Sequence, residues 1–78
     1  MSSALPVISG RDAVKALAKA GFEIIKGRGK GSHLVMAKTD HQSILTIPDH
    51  RELDRGTLRA IIRQAGLTVD EFVALLRG

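Results

Sequence analysis

Residues 33–48, HLVMAKTDHQSILTIP, contain two short runs in which apolar side chains recur at every second position. This period is typical of β-strands that bury one face. We therefore predict strands over residues 33–38 and 43–47, joined through residues 39–42. Pro48 cannot donate a hydrogen bond to a sheet ladder, so the second of these strands is expected to end there.

The apolar pattern also predicts how the two strands pair. A two-residue turn centred on Asp40 and His41 would pair residues whose numbers add up to 81. In that register the apolar side chains meet on one side of the hairpin, as the pairs Leu34–Ile47 and Met36–Leu45, and this side faces the core. His33 then lies on the opposite side, across from Pro48. A slip by one residue would bury His33 and expose Leu34 and Met36, which the apolar pattern argues against.

A helix is predicted on the amino-terminal side of the hairpin, after an extended arm over residues 1–8. Ser9 is a suitable N-cap, and Asp12 completes a near capping box. Gly21 ends the helix, because glycine takes the left-handed conformation at little cost. Residues 22–26, FEIIK, follow as a first strand. Four apolar residues at helical spacing form the predicted buried stripe of the helix: Ala13, Val14, Leu17 and Ala18.

Two more helices are predicted after the hairpin. Asp54 caps the first, which closes at Gly66, and Thr68 with Glu71 forms a capping box for the second. The prediction is a single α+β domain over residues 1–78, in the order α-β-β-β-α-α. Its three-stranded antiparallel sheet carries the helices on one face, which gives every apolar stripe a partner. The first five elements match the α-β-β-β-α order of double-stranded RNA-binding domains, although a fold does not establish a function.

Composition limits the functions open to the chain. It has no cysteine, which excludes disulfides and thiolate metal sites. Aromatic residues make up 3%, which excludes a surface that stacks single-stranded bases on successive rings. Residues 1–39 carry seven basic and two acidic side chains, and this favours a nucleic-acid partner. No stretch has the length of a membrane span or the pattern of a signal peptide, so we expect a cytoplasmic protein with no membrane partner.

His33 is the candidate catalytic residue. It follows the segment Gly27–Ser32, in which Arg28 and Lys30 alternate with glycines. An imidazole can exchange a proton near neutral pH, and neighbouring cations could bind a phosphate and offset the charge that develops on it. RNA supplies its own nucleophile, the 2′-hydroxyl, so this chemistry requires no metal. The alternative is a solvated surface histidine without a role in chemistry.

Other patterns argue against cofactors. The three histidines lack the spacing of a zinc site. The Gly27–Ser32 segment has Gly31 where a Walker A motif needs Ser or Thr, and it leads into a strand, so a nucleotide cofactor is rejected. Arg55, Arg59 and Arg63 form a stripe along one helix. This stripe is either a solvated helix face or a surface that contacts phosphates.

Several short motifs are spaced at defined distances along the chain. They are Gly31-Ser32-His33, Ile47-Pro48 with His50, and Gly56-Thr57-Leu58-Arg59 followed by Gln64-Ala65-Gly66. Together they resemble the HicA toxins, small mRNA interferases of HicA–HicB toxin–antitoxin pairs. The likeness extends from about Leu5 to Leu75 and is fairly specific in combination.

The resemblance implies a fold like that of double-stranded RNA-binding domains, metal-independent endoribonuclease activity on mRNA, and neutralisation by a HicB-type antitoxin encoded adjacently. The catalytic histidine of the family lies in its Gly-Ser-His motif, which corresponds to His33. We expect RNA to contact Arg28, Lys30, Ser32, Arg51, Arg55 and Arg59. We expect the antitoxin to contact His33, Val35, Ala37 and Ile44. The alternative function is a non-catalytic double-stranded RNA-binding module, which needs no histidine at a defined site.

Overall fold

The computed structural model describes residues 5–25 and 33–78, and its elements follow the predicted order. They are α1 Gly10–Lys19, β1 Glu23–Ile24, β2 His33–Ala37, β3 Leu45–Pro48, α2 Arg55–Gln64 and α3 Val69–Arg77. The α+β class and the α-β-β-β-α-α order are therefore confirmed for this part of the chain. β1 begins one residue later than the predicted strand over 22–26, whose last residue, Lys26, lies outside the described residues. After β1, the amide of Ile25 donates to the carbonyl of Val35 at 2.8 Å.

The three strands form an antiparallel sheet in the order β1-β2-β3. The predicted register is confirmed: His33 pairs with Pro48, Leu34 with Ile47, Val35 with Thr46, and Met36 with Leu45. One face of the sheet packs against the helices and forms the core. The largest side chains that are almost completely enclosed there, among the described residues, are Leu17, Met36, Leu45, Ile47, Leu58 and Phe72.

The predicted two-residue turn centred on Asp40 and His41 is wrong. The amide of His41 donates to the carbonyl of Lys38 at 3.1 Å, which centres the turn on Thr39 and Asp40. Asp40 has a φ of +69°, a left-handed conformation that Asp tolerates better than most residues. The chain then needs residues 42–44 to return to β3. The pairing register of β2 and β3 is nevertheless as predicted, because the apolar face of the hairpin determines it and the turn does not.

Helix α1 begins and ends as predicted, but its buried face is partly different. Ser9 and Asp12 form the capping box, and Gly21 has a φ of +101°. Ala13 and Leu17 are buried as expected. Ala18 is exposed, and Ala16, which is 1% exposed, takes its place because α1 packs against α3 as well as against the sheet.

Side chains also cap the two carboxyl-terminal helices. The carboxylate of Asp54 accepts the amides of Gly56 and Thr57 at the start of α2, and Thr68 and Glu71 form the predicted capping box of α3. Each capped end satisfies amides that have no partner within the helix. The helices in the described ranges are all too short, or too polar, to cross a membrane.

Candidate functional site

His33 is the first residue of β2 and is exposed. Its neighbours Leu34 and Met36 belong to the side of the sheet that packs against the helices. Because side chains alternate along a strand, His33 lies on the helix-free face. Its Cα partner, Pro48, is the last residue of β3. The predicted placement of the imidazole is therefore confirmed, at the sheet end where β2 begins and β3 finishes.

The connection that leaves β3 at this end, residues 49–54, is attached to the start of α1. The amide of Gly10 donates to the carbonyl of His50 at 2.9 Å, and the amide of Leu53 donates to the carbonyl of Ile8 at 2.8 Å. Arg11 donates two hydrogen bonds of 3.2 Å to Asp49, one from Nε to Oδ1 and one from Nη2 to Oδ2. These contacts hold the connection beside His33. No local sequence pattern predicts these contacts, because they join residues about 40 positions apart.

The predicted RNA-binding residues occupy separate parts of the protein. Arg51 is exposed in the connection near His33. Arg55 and Arg59 are exposed on α2, which packs on the opposite side of the sheet from His33. The structure therefore does not place them on the His33 face. Three further predicted contacts lie outside the described residues: Arg28, Lys30 and Ser32.

The four residues predicted to contact an antitoxin differ in exposure. His33 is exposed, Ala37 is half-buried, and Ile44 is 45% exposed. Val35 is only 7% exposed, so it offers little apolar surface in the free protein, and its contact with an antitoxin stays a prediction. The reason for this low exposure is its place in the central strand, where Ile25 flanks it on one side and Thr46 on the other.

His41 has a structural position rather than one near His33. Its Nε2 lies 2.7 Å from the carbonyl of Gln64 at the end of α2. Its ring meets Phe22 edge-on, with the ring centroids 5.2 Å apart. Within residues 5–25 and 33–78, no three His, Cys, Asp or Glu side chains are grouped so that they could hold a metal ion.

A groove of about 480 Å³ lies between α1 and α3 and was not predicted. Ile8, Ala16, Val73 and Leu76 supply apolar walls, and Lys15 is among the charged residues that line it. Among residues 5–25 and 33–78, those that line this groove all lie outside the sheet, so the groove is separate from His33.

A family model described as the HicA toxin of bacterial toxin–antitoxin systems matches residues 10–67. The chain belongs to the HicA toxin family. The matched part includes β2 with His33, the connection after β3, and all of α2, so the site described above lies within the family-defining region of this HicA toxin.

A solved structure supports the same conclusion about the HicA fold. The toxin resembles a chain of a toxin–antitoxin complex from Streptococcus pneumoniae, with 40% sequence identity and a TM-score of 0.68. The alignment covers 77% of the present chain and 98% of the Streptococcus pneumoniae chain. No curated protein matches the chain significantly.

Proposed function

We propose that this HicA family member is a metal-independent endoribonuclease that cleaves mRNA, with His33 transferring a proton, and that a HicB-type antitoxin neutralises it. The observation that carries the proposal is the placement of His33. An exposed imidazole at the start of β2, on the helix-free face of the sheet, is accessible to a large polymeric substrate. Its position in the Gly-Ser-His motif of the family supports the same role.

The proposed reaction is attack of the RNA 2′-hydroxyl on the adjacent phosphorus. His33 accepts the proton of the 2′-hydroxyl while the 2′-oxygen forms its bond to phosphorus and the bond from phosphorus to the 5′-oxygen breaks. The departing 5′-oxygen takes up a proton, so the products are a 2′,3′-cyclic phosphate and a 5′-hydroxyl. Cationic side chains stabilise the charge on the phosphoryl oxygens, and Arg51 in the connection after β3 is suited to this role. Arg28 and Lys30 are proposed to do the same.

The proposed antitoxin covers the face that carries His33. Ile44, which is exposed, and the half-buried Ala37 supply apolar surface there, and Arg51 supplies a cation. A partner with carboxylates opposite the cations would imitate the phosphates of RNA. The Streptococcus pneumoniae chain comes from a toxin–antitoxin complex, which supports a protein partner of this kind for the present toxin.

A second candidate function is a non-catalytic double-stranded RNA-binding module. It is favoured by the exposed arginines of α2, Arg55, Arg59 and Arg63, which recur once per turn or nearly so. Such a surface would bind phosphates on the helix side of the sheet. It would not require an imidazole on the opposite face.

Expression of His33→Ala in a host cell tests the catalytic proposal. We expect the wild-type toxin to arrest growth and fragment transcripts, and His33→Ala to do neither. The control is Gln42→Ala, which removes an exposed polar side chain from the far end of the same hairpin and should remain toxic. A fully toxic His33→Ala variant would disprove the catalytic role. If His33→Ala loses both toxicity and its folded state, the same comparison is made with His33→Gln.

A further inference from the structure

His50 lies close to His33 although it is on a different element. Pro48, the Cα partner of His33, precedes His50 by two residues. Paired α-carbons in antiparallel strands lie about 4.5–5.5 Å apart, and two residues span at most about 7 Å. The α-carbons of the two histidines are therefore within about 13 Å of each other. Both side chains are exposed.

The backbone around His50 is fixed, while its imidazole is available. The carbonyl of His50 accepts the amide of Gly10, and its neighbour Asp49 is paired with Arg11. In the part of the chain that the structure describes, the ring of His50 makes no hydrogen bond or ion pair. Contacts that hold the main chain of a residue but leave its ring exposed are well suited to presenting that ring to a ligand.

The proposed reaction needs a second proton transfer that His33 cannot provide in the same step. The entering 2′-oxygen and the leaving 5′-oxygen lie on opposite sides of the phosphorus in an in-line displacement. The imidazole that removes the proton from the 2′-hydroxyl is therefore on the wrong side to protonate the 5′-oxygen. Without a proton, that oxygen must depart as an unstable alkoxide.

Among the side chains that serve as general acids, an imidazole exchanges a proton most readily near neutral pH. Cysteine and tyrosine are absent, and there are three histidines. His41 is used at the end of α2, where its ring contacts Phe22 and the carbonyl of Gln64. His50 is the remaining imidazole, and the connection after β3 holds it at the His33 end of the sheet.

We propose that His50 is the second catalytic residue of this toxin, and that as an imidazolium it donates a proton to the departing 5′-oxygen. This inference rests on the proposed ribonuclease function. In the balanced step, His33 gains the proton of the 2′-hydroxyl, the bond from the 2′-oxygen to phosphorus forms, the bond to the 5′-oxygen breaks, and His50 loses the proton that makes the 5′-hydroxyl.

An RNA with a sulfur in place of the leaving 5′-oxygen tests this assignment. The bond cleaved by the wild-type toxin is mapped first, and a 5′-bridging phosphorothiolate is then placed at that bond in a short RNA. A thiolate leaves without being protonated, so the acid is no longer needed. His50→Gln should cleave ordinary RNA about 100-fold or more slowly than wild type, the usual size of a general-acid contribution. On the sulfur substrate its rate should lie within about threefold of the wild-type rate.

His33→Gln and Gln42→Ala serve as comparisons. His33→Gln should be slow on both substrates, because the 2′-hydroxyl still needs a base, and Gln42→Ala should resemble wild type on both. The thermal unfolding of His50→Gln should match that of wild type, because the carbonyl that accepts the amide of Gly10 belongs to the main chain and is kept in the variant. His50→Asn is a second variant with the same expectation.

The outcomes separate the two proposals. Two results with an active wild-type toxin would show that His50 is not the acid: His50→Gln cleaves ordinary RNA as fast as wild type, or it is slowed equally on both substrates. Either result overturns the inference, while the ribonuclease function stands. If wild type cleaves no RNA, the proposed function fails and the role of His50 fails with it.

Discussion

Gly10 at the start of α1 and Pro48 at the end of β3 are in direct backbone contact. A Cβ on Gly10 would clash with the carbonyl oxygen of Pro48 and would lie 3.0 Å from its carbonyl carbon and 3.2 Å from the α-carbon of Asp49. This approach allows the amide of Gly10 to reach the carbonyl of His50. Only a residue without a side chain permits this close approach. Glycine at position 10 therefore allows the start of α1 to pack against the end of β3, where Pro48 pairs with His33.

Gly10→Ala should therefore destabilise the toxin. Both partners of the clash are main-chain atoms, which cannot move aside as a side chain can, and we expect the free energy of unfolding to fall by about 2 kcal/mol or more. Urea denaturation followed by circular dichroism measures this change.

Gly56→Ala is the matched control for that experiment. Gly56 is also helical, but its Cβ would approach only the carboxylate oxygen of Asp54, at 3.1 Å, which a side chain can adjust. We expect a change below about 1 kcal/mol. Equal stabilities of Gly10→Ala and wild type would contradict the backbone contact.

His41→Ala should lower stability without affecting RNA cleavage. The variant removes the hydrogen bond to the carbonyl of Gln64 and the edge contact with Phe22, and it leaves the carbonyl at the end of α2 without this partner. We expect a loss of about 1–2 kcal/mol. Thermal unfolding gives the stability, and a cleavage assay at a temperature where both proteins are folded gives the activity. Gln42→Ala, one residue along the turn, should change neither. Loss of cleavage by folded His41→Ala would mean that His41 takes part in the reaction.

RNA cleavage by the purified toxin should persist in EDTA. A base, an acid and cationic side chains suffice for attack by the 2′-hydroxyl, so no step of the proposed reaction passes through a metal. The assay uses a short unstructured RNA, and a metal-dependent nuclease treated in the same way serves as the control. The products should carry 2′,3′-cyclic phosphate and 5′-hydroxyl ends. Activity that vanishes in EDTA and returns with a divalent cation would refute this mechanism.

Binding of the antitoxin should protect β2 rather than α2 from hydrogen exchange. We expect the partner to be an acidic protein encoded beside the toxin, and the amides of His33–Ala37 should exchange more slowly in the complex than in the free toxin. The amides of Arg55–Gln64, on the other side of the sheet, should change little. Protection confined to α2 would show that inhibition does not depend on covering His33.

Local patterns were enough to predict most of the architecture. The alternation of apolar residues in residues 33–48 predicted the pairing of β2 with β3, because a slip by one position would have exposed the core face. Ser9, Asp54 and Thr68 predicted the helix starts, because a cap acts on amides within three residues of it. The position of His33 on the open face follows from the same alternation. All of these features depend on residues that are near one another in the chain, or on a period of two.

The remaining features depend on contacts between distant segments, which carry no local pattern. Ala16 rather than Ala18 is buried because α3 returns to pack against α1. Val35 is enclosed because both of its neighbouring strands are present. The position of His50 beside His33 depends on Gly10 and Arg11, which bind the connection after β3 from the start of a helix about 40 residues earlier. Such contacts form only when the sheet and the helices pack together, so the arrangement of the two histidines is a property of the folded toxin.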